Sequence, residues 1–295
     1  MNVTKVSDSM FSSFLPKRNE NTSKFDYGRA TIIGGSLDYG GAPLLSLASL
    51  AALRMGVGFA SLYVPSPLYE IYIGRDPQVI VHSFPTKDGN IAYDEEILNR
   101  IIKESTSIAI GMGVTGFKEC KKILEYLLIN YRGSLIVDAG GLTALADIDP
   151  IKLANPTCNL ILTPHTGEFS RLTHIERNEI EKQPLKTLLP YVANKKITVL
   201  LKGHTTYIAN NEEVYSSSFG NTGLSKAGSG DLLSGILCGI FAQNIVASTP
   251  KKAAFCSYLL GKSADYLLQK ESEYSIIADD IIASLPNVLS YCISK

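Results

Sequence analysis

Short apolar segments alternate with helix-forming segments along this 295-residue chain, and this alternation restricts the possible folds most strongly. The apolar runs end at Gly, Pro or a polar residue, which is typical of buried strands. We predict strands at residues 30–35, 56–64, 79–82, 107–110, 134–138, 159–162, 197–202 and 205–209. We predict helices at residues 43–55, 94–103, 117–130, 250–269 and 278–291. Such alternation favours an α/β fold with three layers, αβα, and a mostly parallel central sheet.

One segment breaks this pattern. Residues 205–217 form two strand-like runs around Asn210 and Asn211. This arrangement is typical of a β-hairpin, so we expect an antiparallel part at one edge of the sheet. Residues 1–24 are polar and rich in serine, and there we expect a flexible or oligomer-contact arm. No linker divides the rest, so residues 25–295 are predicted to form a single domain.

Charge and cysteine content restrict the function. The chain carries 28 basic and 28 acidic residues, so its net charge gives no electrostatic reason to expect nucleic acid or a membrane as partner. Its five cysteines are widely spaced in apolar surroundings without a C-x-x-C pair, as expected of buried thiols in a reducing compartment. The N-terminal residues lack the apolar core of a signal peptide, so we expect a cytoplasmic small-molecule enzyme.

A glycine-rich turn at residues 221–230 leads into an apolar helix and contains the strongest candidate for chemistry. Amides at the start of a helix lack intrahelical partners and favour phosphate oxygens. The candidate anion hole comprises Ala227, Gly228, Ser229 and Gly230. Asp231 follows directly, and a carboxylate beside a phosphate can take the proton from an attacking hydroxyl. The alternative is an ordinary helix cap, in which a side chain bonds these amides.

Further polar candidates follow predicted strands. Asp138 ends the strand at residues 134–138, at the sheet edge where parallel sheets bind ligands. His165 and Glu168 lie in a turn before a helix and could contact a ligand or a hydrated Mg²⁺; alternatively, they only cap the helix. Lys202 ends another strand and could reach phosphates, whereas most such lysines lie in solvent.

Two other patterns have little weight. Gly111 to Gly116 match G-x-G-x-x-G after a strand, but the pattern alone is weak and its spacing to Asp138 is unusual for a nicotinamide dehydrogenase. A glycine turn that lets the backbone approach a ligand fits better. Residues 34–41 are rich in glycine but lack the lysine of a P-loop, so phosphate binding requires another arrangement. The histidines share no zinc-ligand spacing, and we predict no structural zinc.

Six segments, in this order, resemble the NAD(P)H-hydrate dehydratases of the ribokinase-like superfamily. They are GGSLDYGGA (34–42), AIGMGVTG (109–116), LIVDAGGLTALA (135–146), ILTPHTGEFSRL (161–172), LLKGHTTYI (200–208) and NTGLSKAGSGDLLSGI (221–236). The resemblance extends from about Lys24 to the C-terminus. It implies a ribokinase-like fold and a stand-alone dehydratase that restores NADH or NADPH from the S epimer of the C6 hydrate, with Mg²⁺ and with ADP or ATP. We expect ADP, because no organelle presequence or fused domain is evident.

The resemblance also implies roles for individual residues. Ala42, Gly113 and His165 are expected to bind the hydrate, and Asp231 to act at its reacting hydroxyl. The expected adenine-nucleotide positions are Lys202, Gly203, His204, Thr205, Thr206 and Gly230. Glu168 is expected to hold Mg²⁺ through water, and the likeness further implies a homotetramer.

This chain departs from the family pattern at three places. The family commonly has D-A-D-A-L-N where this chain has Asp138-Ala139-Gly140-Gly141-Leu142-Thr143. An acid and an amide are therefore absent beside the expected cleft. Ser23-Lys24-Phe25 replaces a histidine-lysine-glycine segment, and Lys226 stands in the glycine-rich turn.

Two alternative functions stay open at this point. A ribokinase-like kinase acting on a thiamin precursor would keep the GSGD segment, although it has no reason to carry both LTPHTGE and KGHTT. A nucleotide-binding module with weakened catalysis would account for the altered DAGGLT segment.

Overall fold

The computed structural model describes residues 1–39 and 42–294, apart from the side chains of residues 42–44. Its strands are β1 (Val3–Lys5), β2 (Arg29–Ile33), β3 (Phe59–Pro65), β4 (Ile80–Phe84), β5 (Thr86–Lys87), β6 (Asn90–Ile91), β7 (Ser107–Ile110), β8 (Ser134–Val137), β9 (Asn159–Leu162), β10 (Ile197–Leu201), β11 (Thr206–Ala209) and β12 (Val214–Ser217). Its α-helices are α1 (Asp8–Phe11), α2 (Ala42–Arg54), α3 (Tyr69–Ile73), α4 (Glu95–Glu104), α5 (Phe117–Asn130), α6 (Gly140–Leu145), α7 (Pro150–Ala154), α8 (Thr166–Thr173), α9 (Arg177–Lys182), α10 (Pro184–Val192), α11 (Ser229–Phe241), α12 (Thr249–Leu267) and α13 (Ala278–Cys292).

Ten of the described strands form one sheet in the order β1-β12-β11-β10-β9-β8-β7-β2-β3-β4, while β5 and β6 form a separate hairpin. Neighbouring strands from β10 across to β4 pair in parallel. This confirms the predicted α/β fold with a mostly parallel sheet. The carboxyl ends of β7 to β10 therefore lie side by side at one edge, where loops from distant parts of the chain converge.

Alternating strand side chains separate two apolar cores. Ile32 packs with the helices on one face, α2, α11, α12 and α13, whereas its neighbour Ile33 packs with α4, α5, α6 and α10 on the other. Ile136 and Val137 in β8 divide in the same way. Successive strand side chains point to opposite faces, so a sheet covered on both sides requires continuous apolar runs. The three-layer αβα arrangement follows from this pattern.

The predicted hairpin is present. Strand β11 pairs antiparallel with both β10 and β12, and the side-chain oxygen of Asn210 accepts hydrogen bonds from the amides of Glu212 and Glu213 in the turn. The hairpin does not end the sheet, however, because β1 pairs in parallel with β12 outside it. Two polar residues in this three-residue strand gave no apolar pattern from which to predict it.

The N-terminal segment packs against the domain. Phe11 in α1 is fully buried, with its ring centroid 5.2 Å from those of Phe14, Phe255 and Tyr258. Asp8 accepts a hydrogen bond from the Tyr258 hydroxyl at 2.7 Å. Val6 and Phe11 thus join the core that includes α12 and α13, with Met10, Phe14 and Leu15 packed against it. The division into an arm at 1–24 and a domain at 25–295 remains a prediction, as does any contact with a second copy.

The five cysteines are buried and unpaired with one another, as the sequence predicted. Within the described residues, every helix is too short or too polar to cross a lipid bilayer.

Candidate functional site

Three loops and one helix start meet at the carboxyl edge of the sheet. Asp138 follows β8, His165 follows β9 and Lys202 follows β10, while the first turn of α11 carries Asp231. His165 and Lys202 form a parallel β-bridge, and the Lys202 amide donates to the carbonyl of Pro164 at 2.8 Å. The strand geometry therefore brings together residues that are up to 93 positions apart in the sequence.

A buried ion pair lies at the centre of this edge. Asp138 is 2% exposed, and its Oδ1 accepts a hydrogen bond from Lys202 Nζ at 2.9 Å. Its Oδ2 accepts from the Ser234 hydroxyl of α11 at 2.8 Å. A buried carboxylate needs such partners, because an unpaired charge in the interior is strongly unfavourable. Both oxygens of Asp138 are thus engaged by the protein.

Lys202 is held at this position by surrounding carboxylates. Burial by itself lowers the pKa of its ammonium, but Asp138, Glu168 and Asp231 more than offset this effect, and the net pKa is raised. Lys202 therefore stays charged, and its partly exposed side chain lines the adjacent cleft. The predicted contact with phosphates is geometrically available at the same place.

Asp231 lies beside this pair in the first turn of α11. Burial, followed by the negative charge of Asp138, raises the pKa of the Asp231 carboxyl to about 6, with Lys202 partly opposing them. Such a carboxyl group is a stronger proton acceptor than an ordinary aspartate while remaining mostly ionised at neutral pH. An acid with an altered pKa is a candidate catalytic group, and Asp231 directly follows Gly230, which lines a cleft.

The start of α11 differs from an ordinary side-chain cap. Its N-cap is Gly228, with φ of 102°, and no side chain caps it within the described structure. This left-handed conformation strongly favours glycine. Gly228, and not Ser229 or Asp231, thus occupies the N-cap position; the Asp231 carboxyl interacts with its own amide, and the other amides at this helix start are not bonded by a capping side chain. They are suited to an anion.

The main cleft, about 680 Å³ in volume, reaches this helix start at Ser229 and Gly230, whereas Ala227, Gly228 and Asp231 are not among its lining residues. Predicted residues on its lining are His165, Lys202, Gly203, His204, Thr206, Ser229 and Gly230. Thr205 instead pairs its hydroxyl with that of Ser218 at 3.1 Å. A larger cavity of about 840 Å³ is formed by α1, α12 and α13 and is lined by a different set of residues.

His165 and Glu168 cap α8. His165 Nδ1 accepts hydrogen bonds from the amides of Gly167 and Glu168, and Glu168 Oε2 accepts from the His165 amide at 2.8 Å. The capping interpretation of this pair is therefore confirmed, although His165 also reaches the main cleft. Burial lowers the pKa of His165 against the opposing effect of Glu168, in agreement with Nδ1 acting as an acceptor.

A smaller cavity of about 240 Å³ lies near the loop after β7. Its lining includes Gly113, Glu168, Thr143, Arg171 and Tyr39. Gly113 is thereby placed at a cavity together with Glu168. Ala42 begins α2, and its side chain lies outside the described residues.

The Gly111–Gly116 loop packs against the backbone after β8. A Cβ atom at Gly140 would lie 2.0 Å from the carbonyl oxygen of Val114, and one at Gly111 would lie 2.0 Å from that of Asp138. The Gly140 amide donates to the Gly111 carbonyl at 3.1 Å. At residue 140, where the family commonly has an acid, the main chain of this protein thus lies in close contact with the main chain of the Gly111–Gly116 loop. At Gly111 the close approach is to the protein backbone, whereas the sequence suggested a ligand.

Two residues of this region were missed in the sequence. Ser234 lies three residues after Asp231 on the same face of α11, and this helical spacing was a usable signal. Asn90 in β6 is 5% exposed and accepts hydrogen bonds from the amides of Thr115 and Gly116. It fixes the glycine loop from a distance of some 25 residues in sequence, for which no local pattern exists.

Glu168 is the carboxylate of this region that could hold a hydrated magnesium ion. Within residues 1–39 and 42–294, no three His, Cys, Asp or Glu side chains group closely enough to hold a metal. Protein-bound Mg²⁺ commonly keeps several waters and uses one or two carboxylates together with substrate phosphates. Glu168 fits that mode: it lines the small cavity, and its Oε1 lies 3.6 Å from His165 Nε2, beyond hydrogen-bond distance.

Comparison with known proteins agrees with this geometry. The family model described as NAD(P)H-hydrate dehydratase matches residues 30–287. The bifunctional NAD(P)H-hydrate repair enzyme Nnr of Moorella thermoacetica is 33% identical over 94% of this chain, which spans about half of that relative's length, 52%.

Two solved structures share the fold. The ADP/ATP-dependent NAD(P)H-hydrate dehydratase of Bacillus subtilis, co-crystallised with ATP and Mg²⁺, has a TM-score of 0.82 at 26% identity, with 99% of each chain covered. A ribokinase-like superfamily protein of Enterococcus faecalis has a TM-score of 0.82 at 24% identity, covering 98% of this chain and 96% of its own. The fold is thus ribokinase-like, and the chain belongs to the NAD(P)H-hydrate dehydratase family.

Proposed function

We propose that this protein dehydrates the S epimer of hydrated NADH or NADPH at the expense of an adenine nucleotide. The observation that carries the proposal is the position of Asp231. Its carboxyl group, with a pKa raised to about 6, lies in the first turn of α11, where helix amides and the charged Lys202 favour phosphate. Family membership supplies the substrate class.

In the proposed reaction, Asp231 removes the proton from the C6 hydroxyl of the hydrate. The oxygen attacks the terminal phosphorus, an oxygen–phosphorus bond forms, and the bond to the remaining nucleotide breaks. The amides of residues 227–230 hold the developing negative charge. The ring nitrogen then expels phosphate from C6, and loss of a proton from the neighbouring carbon restores the double bond. Lys202, fixed by Asp138, lies where it can neutralise phosphate charge.

The two cavities suggest an assignment of the substrates. We assign the adenine nucleotide to the main cleft, which contains Lys202, Gly203, His204, Thr206 and Gly230. The hydrate is assigned to the side of Gly113 and Ala42, with His165 between the two. Bound Mg²⁺ would supply further neutralisation of phosphate charge, and Glu168 would hold it through water.

The proposal also covers the nucleotide donor, the oligomeric state and the location. We propose ADP as the preferred donor over ATP, to be tested by comparing kcat/KM for the two nucleotides. A homotetramer is proposed from the resemblance noted in the sequence, and a cytoplasmic location from the buried, unpaired cysteines, which suit a reducing compartment.

The test is recovery of dihydronicotinamide absorbance when the protein is mixed with hydrated NADH, Mg²⁺ and either nucleotide. We expect Asp231→Asn to lower kcat by about 10²–10⁴-fold, because a general base contributes that much. Nucleotide affinity should change by less than about threefold, because Asp231 acts in the transition state.

Asp279→Asn is the matched control, since Asp279 is also an acid in the first turn of a helix, α13, but is exposed, whereas Asp231 is partly buried beside Asp138 and Lys202. It should turn over as the wild type does. Absence of recovery by the wild type with both nucleotides would reject the dehydratase. Phosphorylation of a thiamin precursor instead would favour the kinase.

A further inference from the structure

Lys226 connects two loops that are far apart in the sequence. Its Nζ donates hydrogen bonds to the carbonyl oxygens of Tyr274 at 2.7 Å and Ile276 at 2.6 Å. These acceptors lie 48 and 50 residues further along the chain, in the loop between α12 and α13. Lys226 itself precedes Gly228, the N-cap of α11, by two residues. One ammonium group thus joins the turn before the catalytic helix to a loop of the last helical pair.

The loop that accepts these bonds is itself well anchored. The Ile276 side chain is fully buried in the core beside α11, α12 and α13. The amides of Ser275 and Ile276 donate to the Ser272 carbonyl at 3.0 and 3.2 Å. A Cβ atom on Gly223 would lie 3.3 Å from Ile276 Cβ, so the two loops are also in close contact there. Lys226 therefore bonds to a fixed support.

Both loops line the main cleft. Ser225 and Lys226 come from the turn before α11, Ser229 and Gly230 from the first turn of α11, and Glu273 from the supporting loop. An ammonium group has three donor hydrogens. Within the described residues, the carbonyls of Tyr274 and Ile276 accept two of these hydrogens. The third hydrogen of the Lys226 ammonium group and its positive charge therefore remain for the cleft.

We propose that Lys226 is a positioning residue for the terminal phosphate of the nucleotide. By joining the turn at 225–228 to the loop at 272–276, it fixes the amides of residues 227–230 at the position where the phosphate binds. This inference rests on the proposed function, since it concerns the same nucleotide site. Lys226 would affect the rate through the position of these amides, because a small displacement of groups that hold a reacting atom can reduce the rate by about 10²-fold.

The test uses Lys226→Met, which keeps the aliphatic stem but removes the charge and both hydrogen bonds. Lys226→Arg keeps a cation, and Lys103→Met is the matched control, because Lys103 is an exposed lysine in the last turn of α4. The measurements are nucleotide affinity by titration calorimetry with ADP or ATP and Mg²⁺, steady-state turnover of hydrated NADH, and backbone hydrogen exchange.

For Lys226→Met we expect kcat, or nucleotide affinity, to fall by about 10- to 100-fold, because the amides are no longer held in place. KM for the hydrate should stay within about twofold, because its uniform binding is unchanged. Hydrogen exchange should quicken at residues 222–230 and 272–276 only, since local opening reports the lost link. The Lys226→Arg variant should retain most of the activity. Added ethylammonium should partly restore the turnover of Lys226→Ala, since it can donate hydrogen bonds to the two vacated carbonyls.

Wild-type behaviour of Lys226→Met in affinity, turnover and exchange would overturn the inference. An equal loss in Lys226→Arg, without rescue of Lys226→Ala by ethylammonium, would also overturn it. If the wild type binds nucleotide but does not turn over the hydrate, the proposed function fails. Nucleotide affinity and hydrogen exchange then still decide the role of Lys226.

Discussion

At the scale of single residues, the site is defined by how charges are shared between two aspartates and one lysine. Asp138 has both oxygens bonded, to Lys202 and to Ser234, and so cannot act as a base without losing them. The surroundings of Asp231 differ, because burial and the negative charge of the nearby Asp138 raise the pKa of its carboxyl group. Two neighbouring carboxyl groups in different surroundings can thus take different roles. In the proposed reaction, Asp138 positions Lys202 and Asp231 accepts the proton.

This difference predicts a pH effect on stability. The folded pKa of Asp231, about 6, exceeds its unfolded value of 3.8, so folding binds the proton more tightly. The stability from this group is fully present below the unfolded pKa and is lost as pH rises through the folded pKa. The Asp231→Asn variant has no titrating group at this position, so it does not lose this stability as pH rises. The free energy of unfolding of the variant, relative to that of the wild type, should therefore increase by about 1 kcal/mol between roughly pH 5 and 7.5.

Urea unfolding of both proteins across this pH range measures the effect. A difference that stays constant with pH would show that the carboxyl group of Asp231 titrates normally in the folded protein.

At the scale of secondary-structure elements, α11 is positioned by very close packing against α2. A Cβ atom on Gly235 would lie 2.1 Å from the carbonyl oxygen of Ala48, and one on Gly239 would lie 2.8 Å from that of Ala52. The two helices contact each other backbone to backbone, one turn apart along α11. This contact determines where the first turn of α11, with Asp231, lies relative to the sheet edge.

Gly235→Ala should therefore destabilise the protein by about 1–3 kcal/mol, because the added methyl group forces the helices apart. Its effect on turnover should be large for the same reason. Gly74→Ala is the matched control, since nothing lies within 4 Å of the added Cβ atom and its φ is −103°. Chemical denaturation and the hydrate assay test both variants. Equal stability of the two would contradict the close packing.

At the scale of the whole molecule, the N-terminal segment adds the edge strand to the sheet and packs against the middle of α12. Strand β1 pairs beside β12, and Phe11 packs among aromatic rings of residues 14, 255 and 258. Asp8 also forms an ion pair with Lys262 of α12 at 2.7 Å. Residues near the N-terminus thus pack against the last two helices, so the two ends of the chain are in contact.

Phe11→Ala should lower the free energy of unfolding by about 3–5 kcal/mol, as is typical of a fully buried phenylalanine. Phe25→Ala is the control, because Phe25 is 65% exposed, and it should cost less than about 1 kcal/mol. Urea unfolding at several protein concentrations provides the measurement. Equal small effects would show that the N-terminal segment is not docked in solution.

The sequence alone determined the local elements of this protein. Strands such as β7 to β10 and helices such as α5 have apolar patterns of their own, so their positions could be predicted within a few residues. The cap of α8 at His165 and the glycine-rich start of α11 are also local signals. These features depend on neighbouring residues, and neighbours in sequence are what a sequence pattern records.

The tertiary structure alone decided how those elements make a site. The pair of Asp138 and Lys202 joins residues 64 positions apart, and Lys226 bonds a loop 48 to 50 positions away. Strand β1 was missed because its pairing with β12 is long-range and leaves no apolar pattern. Close backbone contact at Gly140 was likewise invisible. The physical reason is the same in each case: the partner that fixes these charges and backbones comes from a distant segment, and only the assembled sheet brings it within bonding distance.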